Sequence, residues 1–598
     1  MNQEILNVAI IAHVDHGKTT LTNNLLKQIG AMDQVGMDRN PLEQKRGITM
    51  FSKVASVCFD KVKINIIDTP GHSDFGGEVE RIMCMADSAL LLVDSSEGVM
   101  PQTKFVLQKA LNANLRLIVL INKVDKQDSR IGQVVEEISE LFLNLEANDD
   151  QLDFPVLYGS GRDGWCVNDL KNDTKDNLEP LLHAIIKHTP KVKYDLDAPF
   201  AMLVTMLESD KFLGKILIGK VKQGKAQVNM NVKAIDLGSS EVESGRLTKL
   251  QTFSGMIRNS VDQAVAGDIV ALAGLEKASV TDTICDLSVS TSISSAPIDP
   301  TTISVNVSAN TSPFAGKDGD KLTSRVIRDR LLQEAKTNVS IKIEELGDGQ
   351  FEVKGRGELQ LGVLIETMRK EGFELSVARP RVILKIEDGQ KMEPVEELTI
   401  DLDQEYSGVV MDTLNNRKGI LQSMENHSGN RLRLFYHIPA RSLIGYYGQF
   451  LSDTRGSGIL NKSFLGYEKH SGQVASKKNG ALVSVGQGEA VAYAIFNLQD
   501  RGKMFIKPQD PVYNGMVVGE HNRSNDLDVN VLKGKQLTNV RASGSDEAIK
   551  LDTPVIMSLE EMISYIGEDE LLEVTPNALR LRKKILDSNE RKRSQRNK

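Results

Sequence analysis

The chain has 598 residues, 40% of them hydrophobic and 26% charged, with a formal net charge of −8. That length calls for several domains, and the composition suits folded cores beneath a water-facing surface. No apolar run approaches the roughly 18 residues that a membrane-crossing helix needs. The opening Met-Asn-Gln-Glu lacks the basic-then-apolar pattern of a secretion signal. Cys58, Cys84, Cys166 and Cys285 are scattered, which argues against a disulfide framework or zinc site and suits a reducing compartment. Residues 577–598 carry nine Lys/Arg and two Asp/Glu, a balance of +7, so the rest of the chain carries −15. A basic tail on an acidic body fits either a polyanionic partner or a solvated, disordered end.

Over residues 1–196, apolar runs at 8–11, 64–67, 89–93, 117–121 and 154–157 alternate with helical stretches such as 101–113 and 130–145. This predicts a doubly wound α/β sheet with its ligand loops at the carboxyl ends of strands. After the first run stands Ala12-His13-Val14-Asp15-His16-Gly17-Lys18-Thr19-Thr20, a phosphate-binding loop opening a helix. The usual pattern begins with Gly where this chain has Ala12, but Gly17-Lys18-Thr19 carries the chemistry. Backbone N–H groups of residues 15–19 face the β-phosphate, Lys18 bridges the β- and γ-phosphates, and the Thr19 hydroxyl ligates Mg²⁺.

Three further segments complete a GTP site. Arg46-Gly47-Ile48-Thr49 lies in the apolar-poor stretch 30–50, read as a mobile switch whose Thr49 closes on Mg²⁺ when the γ-phosphate is present. In Asp68-Thr69-Pro70-Gly71-His72, Asp68 holds Mg²⁺ through water and Gly71 offers its N–H to the γ-phosphate. His72 follows directly and is the candidate for positioning the attacking water, with Val14 and Ile48 as apolar restraints on its imidazole. Asn122-Lys123-Val124-Asp125 decides the base. Asp125 accepts from guanine N1–H and the exocyclic amine, which adenine cannot offer.

The pattern then changes. Residues 197–290 show short apolar runs broken by Gly and polar residues, which predicts a β-barrel. A Ser/Thr-rich linker at 288–296 precedes Pro297 and Pro300. Residues 297–385 and 390–470 each read β-α-β-β-α-β, the ferredoxin-like split motif, with helices placed at 408–414 and 443–451 in the second. Residues 471–598 form a β-rich C-terminal domain with strands expected at 481–485, 491–496, 512–518 and 527–532. Ser558-Leu559-Glu560-Glu561 opens a short helix with a capping-box pattern.

With these segments in place, the chain resembles the BipA (TypA) family of translational GTPases, in the class containing elongation factor G. The resemblance covers essentially the whole chain. It is carried by residues 12–20, 42–49 and 68–77, and outside the GTPase domain by 498–502, 522–530 and 534–547. The elongation factor G domain that would fall between the two ferredoxin-like units has no room between Pro380 and Glu396. The resemblance implies a bacterial, cytoplasmic, ribosome-associated GTPase, monomeric in solution and not membrane-bound. The implied role is in large-subunit assembly and in growth under stress or cold. Asp15, His16, Gly17, Lys18, Thr19 and Thr20 carry over as phosphate-binding, Asn122, Lys123 and Asp125 as guanine-binding, and His72 as the residue positioning water. GTP or GDP and Mg²⁺ are the implied cofactors, and a monovalent cation near Asp15 is a further candidate.

Two departures stand out. The last guanine loop, usually Ser-Ala, reads Ser160-Gly161-Arg162 here, and Gln44-Lys45 replaces a more usual acidic or Arg-rich run. Arg523, Lys533, Lys535 and Arg541 are candidate contacts to ribosomal RNA, with tRNA a second candidate RNA partner; each alone is equally well a solvated surface residue. A non-ribosomal GTP-dependent binding switch and an elongation-type factor are the alternative readings, the latter disfavoured by the missing domain.

Overall fold

A computed structural model describes residues 4–30, 43, 49, 52–70, 76–210, 212–295, 300–427, 431–472, 479–534 and 550–596. The chain divides into two compact units, residues 1–300 with 336–340, and residues 301–335 with 341–598.

The first unit opens on a seven-stranded sheet. Its strands are β1 (Glu4–Ala12), β2 (Lys53–Phe59), β3 (Val62–Asp68), β4 (Ser88–Asp94), β5 (Arg116–Asn122), β6 (Val156–Ser160) and β7 (Trp165–Val167). They lie in the order β2-β3-β1-β4-β5-β6-β7. β1 pairs in parallel with both β3 and β4. The chain therefore reverses its winding direction at β1, and the crevice beyond the carboxyl end of β1 is where such sheets bind ligands. β4 is buried along its whole length. That burial explains its unbroken apolar run, because parallel strands covered on both faces do not alternate. Two strands were not expected from the sequence: β2, antiparallel to β3, and the three-residue β7.

A barrel follows, with eight strands between Ala201–Asp210 and Thr283–Asp286 in one sheet and a separate two-stranded pair. Val204, Leu217, Val232, Leu250, Val270 and Ile284 fill its core. Polar ties fasten the barrel to the GTPase sheet. Lys220 Nζ lies 2.5 Å from Asp87 Oδ1, with both side chains 5% exposed or less. Lys63 Nζ meets Asp268 at 2.7 Å, and Ser56 and Gly255 exchange backbone hydrogen bonds of 2.9 and 2.7 Å.

In the second unit two sheets share one strand order. The first runs Lys342–Gly347, Gln350–Gly355, Ile303–Ala309, Leu375–Val377; the second runs Ile420–His427, Arg431–Pro439, Gln390–Asp403, Ile459–Lys469. Both are the ferredoxin-like arrangement. The first sheet does not stop at its fourth strand. Leu375–Val377 pairs with Glu570–Val574, and the sheet continues through Leu579–Lys583 and Met516–His521 into the C-terminal segment. Glu573, fully buried, accepts from Tyr513 Oη at 2.6 Å and Ser312 Oγ at 2.8 Å, tying the two segments together.

Three expectations need correction. Residues 491–496 are not a strand: Ala492–Leu498 is a helix burying Ala494 and Ile495, since a short apolar run cannot separate the two periods. The helix expected at 443–451 is two, Ala440–Leu443 and Tyr446–Asp453, broken at Gly445, whose φ of +74° leaves the helical region. The basic tail is not a free arm. Lys583, 2% exposed, lies 2.6 Å from Asp526, 2.9 Å from Asp569 and 3.1 Å from Glu570. Arg580 pairs with Glu573, and Arg591 and Lys592 with Asp528, so acids of the same fold meet four of the nine basic residues of the tail. The Ser558 capping box is present, with Ser558 accepting from the Glu561 N–H and Glu561 from the Ser558 N–H.

Breaking a buried ion pair by removing one partner leaves an uncompensated charge. Asp87 also accepts from the Asn7 backbone and side-chain amides at 3.0 and 2.7 Å. Asp87→Ala should therefore cost about 3–5 kcal/mol of stability in a denaturant titration. A loss below about 1 kcal/mol would show that the junction does not depend on this pair.

Candidate nucleotide site

The phosphate loop spans the turn from β1 into the helix Lys18–Gln28, with Gly17 as the residue before the helix. Gly17 sits at φ +95°, and a Cβ there would lie 2.5 Å from Asn122 Nδ2, so both backbone and space require glycine. The first backbone N–H groups of any helix have no acceptor within it and carry partial positive charge. Those of Lys18, Thr19 and Thr20 point that charge into the crevice beyond β1. His16 is buried, its Nδ1 3.3 Å from the Leu92 carbonyl and its Nε2 3.5 Å from Glu97. Its side chain thus pins the loop to β4, leaving the backbone to meet a ligand. The Val14 N–H donates to Gln102 Oε1 at 3.2 Å.

Thr49 is buried and its hydroxyl lies 3.1 Å from that of Thr19. Adjacent ligands on an octahedral Mg²⁺, each about 2.1 Å from the metal, are themselves about 3 Å apart. The pair fits such an ion. Asp68 ends β3 and is fully buried, and the neighbouring Thr69 hydroxyl donates to the Ile10 carbonyl at 2.7 Å. The hard oxygen donors here suit Mg²⁺ and not a softer metal.

The loops expected to read the base are stitched to this turn. Asn122, at the end of β5, donates from Nδ2 to the His16 carbonyl at 2.8 Å and accepts at Oδ1 from the Gly161 N–H at 2.7 Å. Lys123 donates from Nζ to the Asp15 carbonyl at 2.6 Å and pairs with Asp94 at 2.7 Å. Lys126 reaches the same Asp94 oxygen at 3.0 Å. Burial alone would raise the Asp94 pKa. The hydrogen bonds from Lys123, Ser96 and Lys126 overcome it and hold the carboxyl well below the usual carboxylate range. The Ser160 hydroxyl donates to Asp163 at 2.8 Å. Asn24 Nδ2 donates to the Gly161 and Arg162 carbonyls at 2.6 and 3.0 Å, and Gln28 Nε2 to that of Gly164 at 2.6 Å. Asp125 is met by Arg162 at 3.0 Å.

The fold thus gathers Asp15, His16, Gly17, Lys18, Thr19, Thr20, Asn122, Lys123, Asp125, Ser160 and Gly161 around one crevice, with Thr49 against Thr19. Gly71, His72 and Ile48 lie outside the described residues, as does most of 30–50. Arg523 and Lys533 are exposed in the second unit, while Lys535 and Arg541 fall outside the described residues. Sequence reasoning missed Asp94, Asn24, Gln28 and Gln102. An acid ending the apolar run at 89–93 was a usable signal for Asp94. Asn24 and Gln28, four apart on one helix face, were a weaker one.

Comparison with known proteins agrees with this geometry. Residues 3–191 match the elongation factor Tu GTP binding domain and 214–285 elongation factor Tu domain 2. Residues 390–478 match the elongation factor G C-terminus, and 479–588 the TypA/BipA C-terminal domain. The chain is 46% identical over 604 residues to the large ribosomal subunit assembly factor BipA of Escherichia coli K12, covering 100% of this chain and 99% of that one. The protein of the same name from Buchnera aphidicola is 46% identical over 606 residues, covering 100% of both chains. A Thermus thermophilus protein of known crystal structure aligns with a TM-score of 0.55 at 18% identity, over 79% of this chain and 98% of that one, a likeness of fold alone. A GTP-binding domain, an elongation-factor barrel, ferredoxin-like domains and a TypA/BipA C-terminal domain on one chain, with full-length identity to BipA, leave one conclusion: the chain belongs to the TypA/BipA family of translational GTPases.

Proposed function

We propose that this chain is a Mg²⁺-dependent GTPase of the bacterial cytoplasm that acts as a monomer in assembly of the large ribosomal subunit, and whose hydrolysis the ribosomal particle stimulates. The observation that carries this reading is the 46% identity to proteins named for large-subunit assembly, which runs through the TypA/BipA C-terminal domain as well as the GTPase domain. Its working parts are a GTPase domain over 1–196, a barrel over 197–290, ferredoxin-like domains over 297–385 and 390–470, and an RNA-engaging domain over 471–598.

In the nucleotide site, backbone N–H groups of residues 15–20 and the Lys18 ammonium hold the β- and γ-phosphates. Mg²⁺, when bound, neutralises charge on those phosphates. Thr19 and Thr49 offer it hydroxyl oxygens, and Asp68 acts through water. Asp125 reads the guanine edge, Asn122 and Lys123 brace the loop that presents it, and Ser160 and Gly161 frame the base. A monovalent cation near Asp15 is a further cofactor in this reading. Gly71 offers its N–H to the γ-phosphate and His72 positions water for in-line attack. The protein supplies positioning and electrostatics, with no covalent intermediate. Arg523, Lys533, Lys535 and Arg541 contact ribosomal RNA or tRNA.

The Thr49 hydroxyl lies 3.1 Å from that of Thr19, and in this reading the contact matters when a γ-phosphate is present. Thr49→Ala should leave GDP affinity unchanged and weaken a non-hydrolysable GTP analogue about tenfold in calorimetry; equal loss for both nucleotides would assign Thr49 a structural role. His72→Ala should bind GTP and co-sediment with large ribosomal subunits, yet lose stimulated turnover by at least about 100-fold. Unchanged stimulated turnover would remove His72 from the mechanism, and no co-sedimentation of the natural chain in any nucleotide state would reject the ribosomal role.

A further inference from the structure

Resting on the reading of residues 122–125 and 160–164 as the guanine pocket, we infer that Arg162 is an affinity-setting residue which competes with guanine for Asp125. Arg162 Nη2 lies 3.0 Å from Asp125 Oδ2, and Arg162 Nε 3.3 Å from Asp163 Oδ1. Asp163 is itself anchored, accepting from Ser160 Oγ at 2.8 Å. The guanidinium therefore bridges the base-reading carboxylate and a fixed acid on the neighbouring loop.

The main chain beneath it does not move freely. Gly161 donates to Asn122, Asn24 holds the Gly161 and Arg162 carbonyls, and Gln28 holds that of Gly164. The Arg162 side chain, by contrast, is 77% exposed. A hydrogen-bonded backbone beneath an exposed, charged side chain is the arrangement of a placeholder: the side chain has room to leave while the loop keeps its own hydrogen bonds.

The chemistry of exchange is one set of donors for another. Asp125 is acceptor-only when ionised. Guanine brings the N1–H and an exocyclic N–H to it, the same kind of donors that the guanidinium supplies. Guanine and Arg162 thus compete for the same acceptor, and the contact given up subtracts from the gain when the base binds. An exposed pair of this kind is weak, so the effect is modest and screened by salt. Position 162 follows directly on Ser160-Gly161, where the loop departs from Ser-Ala.

The test is stopped-flow and equilibrium binding of a fluorescent GDP to the full chain and to Arg162→Ala, at low and at roughly 0.5 M salt, with Asp125→Asn run alongside. Arg162→Ala should bind GDP about two- to fivefold more tightly at low salt, chiefly through faster association, and the difference should shrink at high salt. Weaker GDP binding by Arg162→Ala, or no change in affinity and association rate, would overturn the proposal. Asp125→Asn separates the two levels of the argument. A large loss of GDP affinity in that variant upholds the pocket whatever Arg162 does. Unaltered GDP binding there would instead reject the reading of the pocket itself. Matching thermal melts of Arg162→Ala and the natural chain establish that the comparison concerns binding and not folding.

Discussion

Asn122 has one amide and two obligations. Its nitrogen holds the phosphate loop at the His16 carbonyl, and its oxygen holds the last base loop at the Gly161 N–H. Three segments distant in sequence are thereby fixed around one crevice by a side chain that is itself 2% exposed. Buried amides of this kind tolerate no partial satisfaction, because an unpaired polar group costs its full desolvation. The same logic extends to Lys123, which braces Asp15 from one side and is braced by Asp94 from the other. The loops at residues 15–17, 122–125 and 160–164 are consequently parts of one hydrogen-bonded frame.

That frame rests on a unit built to be rigid. The GTPase sheet is joined to the barrel through the buried Lys220–Asp87 pair, the Lys63–Asp268 pair and a backbone bridge at Ser56 and Gly255. In the second unit the first ferredoxin-like sheet and the C-terminal segment are one hydrogen-bonded surface, with Glu573 buried at their seam. The family-specific segment 522–530 is likewise held from within, where Asp526 meets Lys583 and Asp528 meets Arg591 and Ser588. Lys583, Arg591 and Lys592 thus tie this loop from within the same fold.

Much of this was legible in the sequence, and the limits have physical causes. The unbroken apolar runs of β4 and β5 announce strands buried on both faces, and Gly17 and Asn122 stand in patterns whose chemistry is local. Strand β2 escaped because its order comes from partners distant from its own pattern, β3 along its length and Gly255 at Ser56. Asp94 escaped because its role exists only where the ends of β4 and β5 lie side by side. The shared sheet of the second unit escaped for the same reason: pairing between Leu375–Val377 and Glu570–Val574 leaves no trace in either segment alone. The helix Ala492–Leu498 was misread because seven residues hold too few periods to tell helix from strand. The tail was read from charge alone, and charge does not reveal which lysine is buried against acids.

The central claim is that the crevice beyond β1 selects guanine nucleotides through a carboxylate at Asp125. The most direct measurement is a calorimetric titration of the purified full-length chain with GDP, a GTP analogue, ADP and an ATP analogue in Mg²⁺ buffer. Saturable heat with both guanine nucleotides and none with either adenine nucleotide at the same concentrations is the result the account requires. Comparable binding of adenine nucleotides, or silence toward all four, would contradict it.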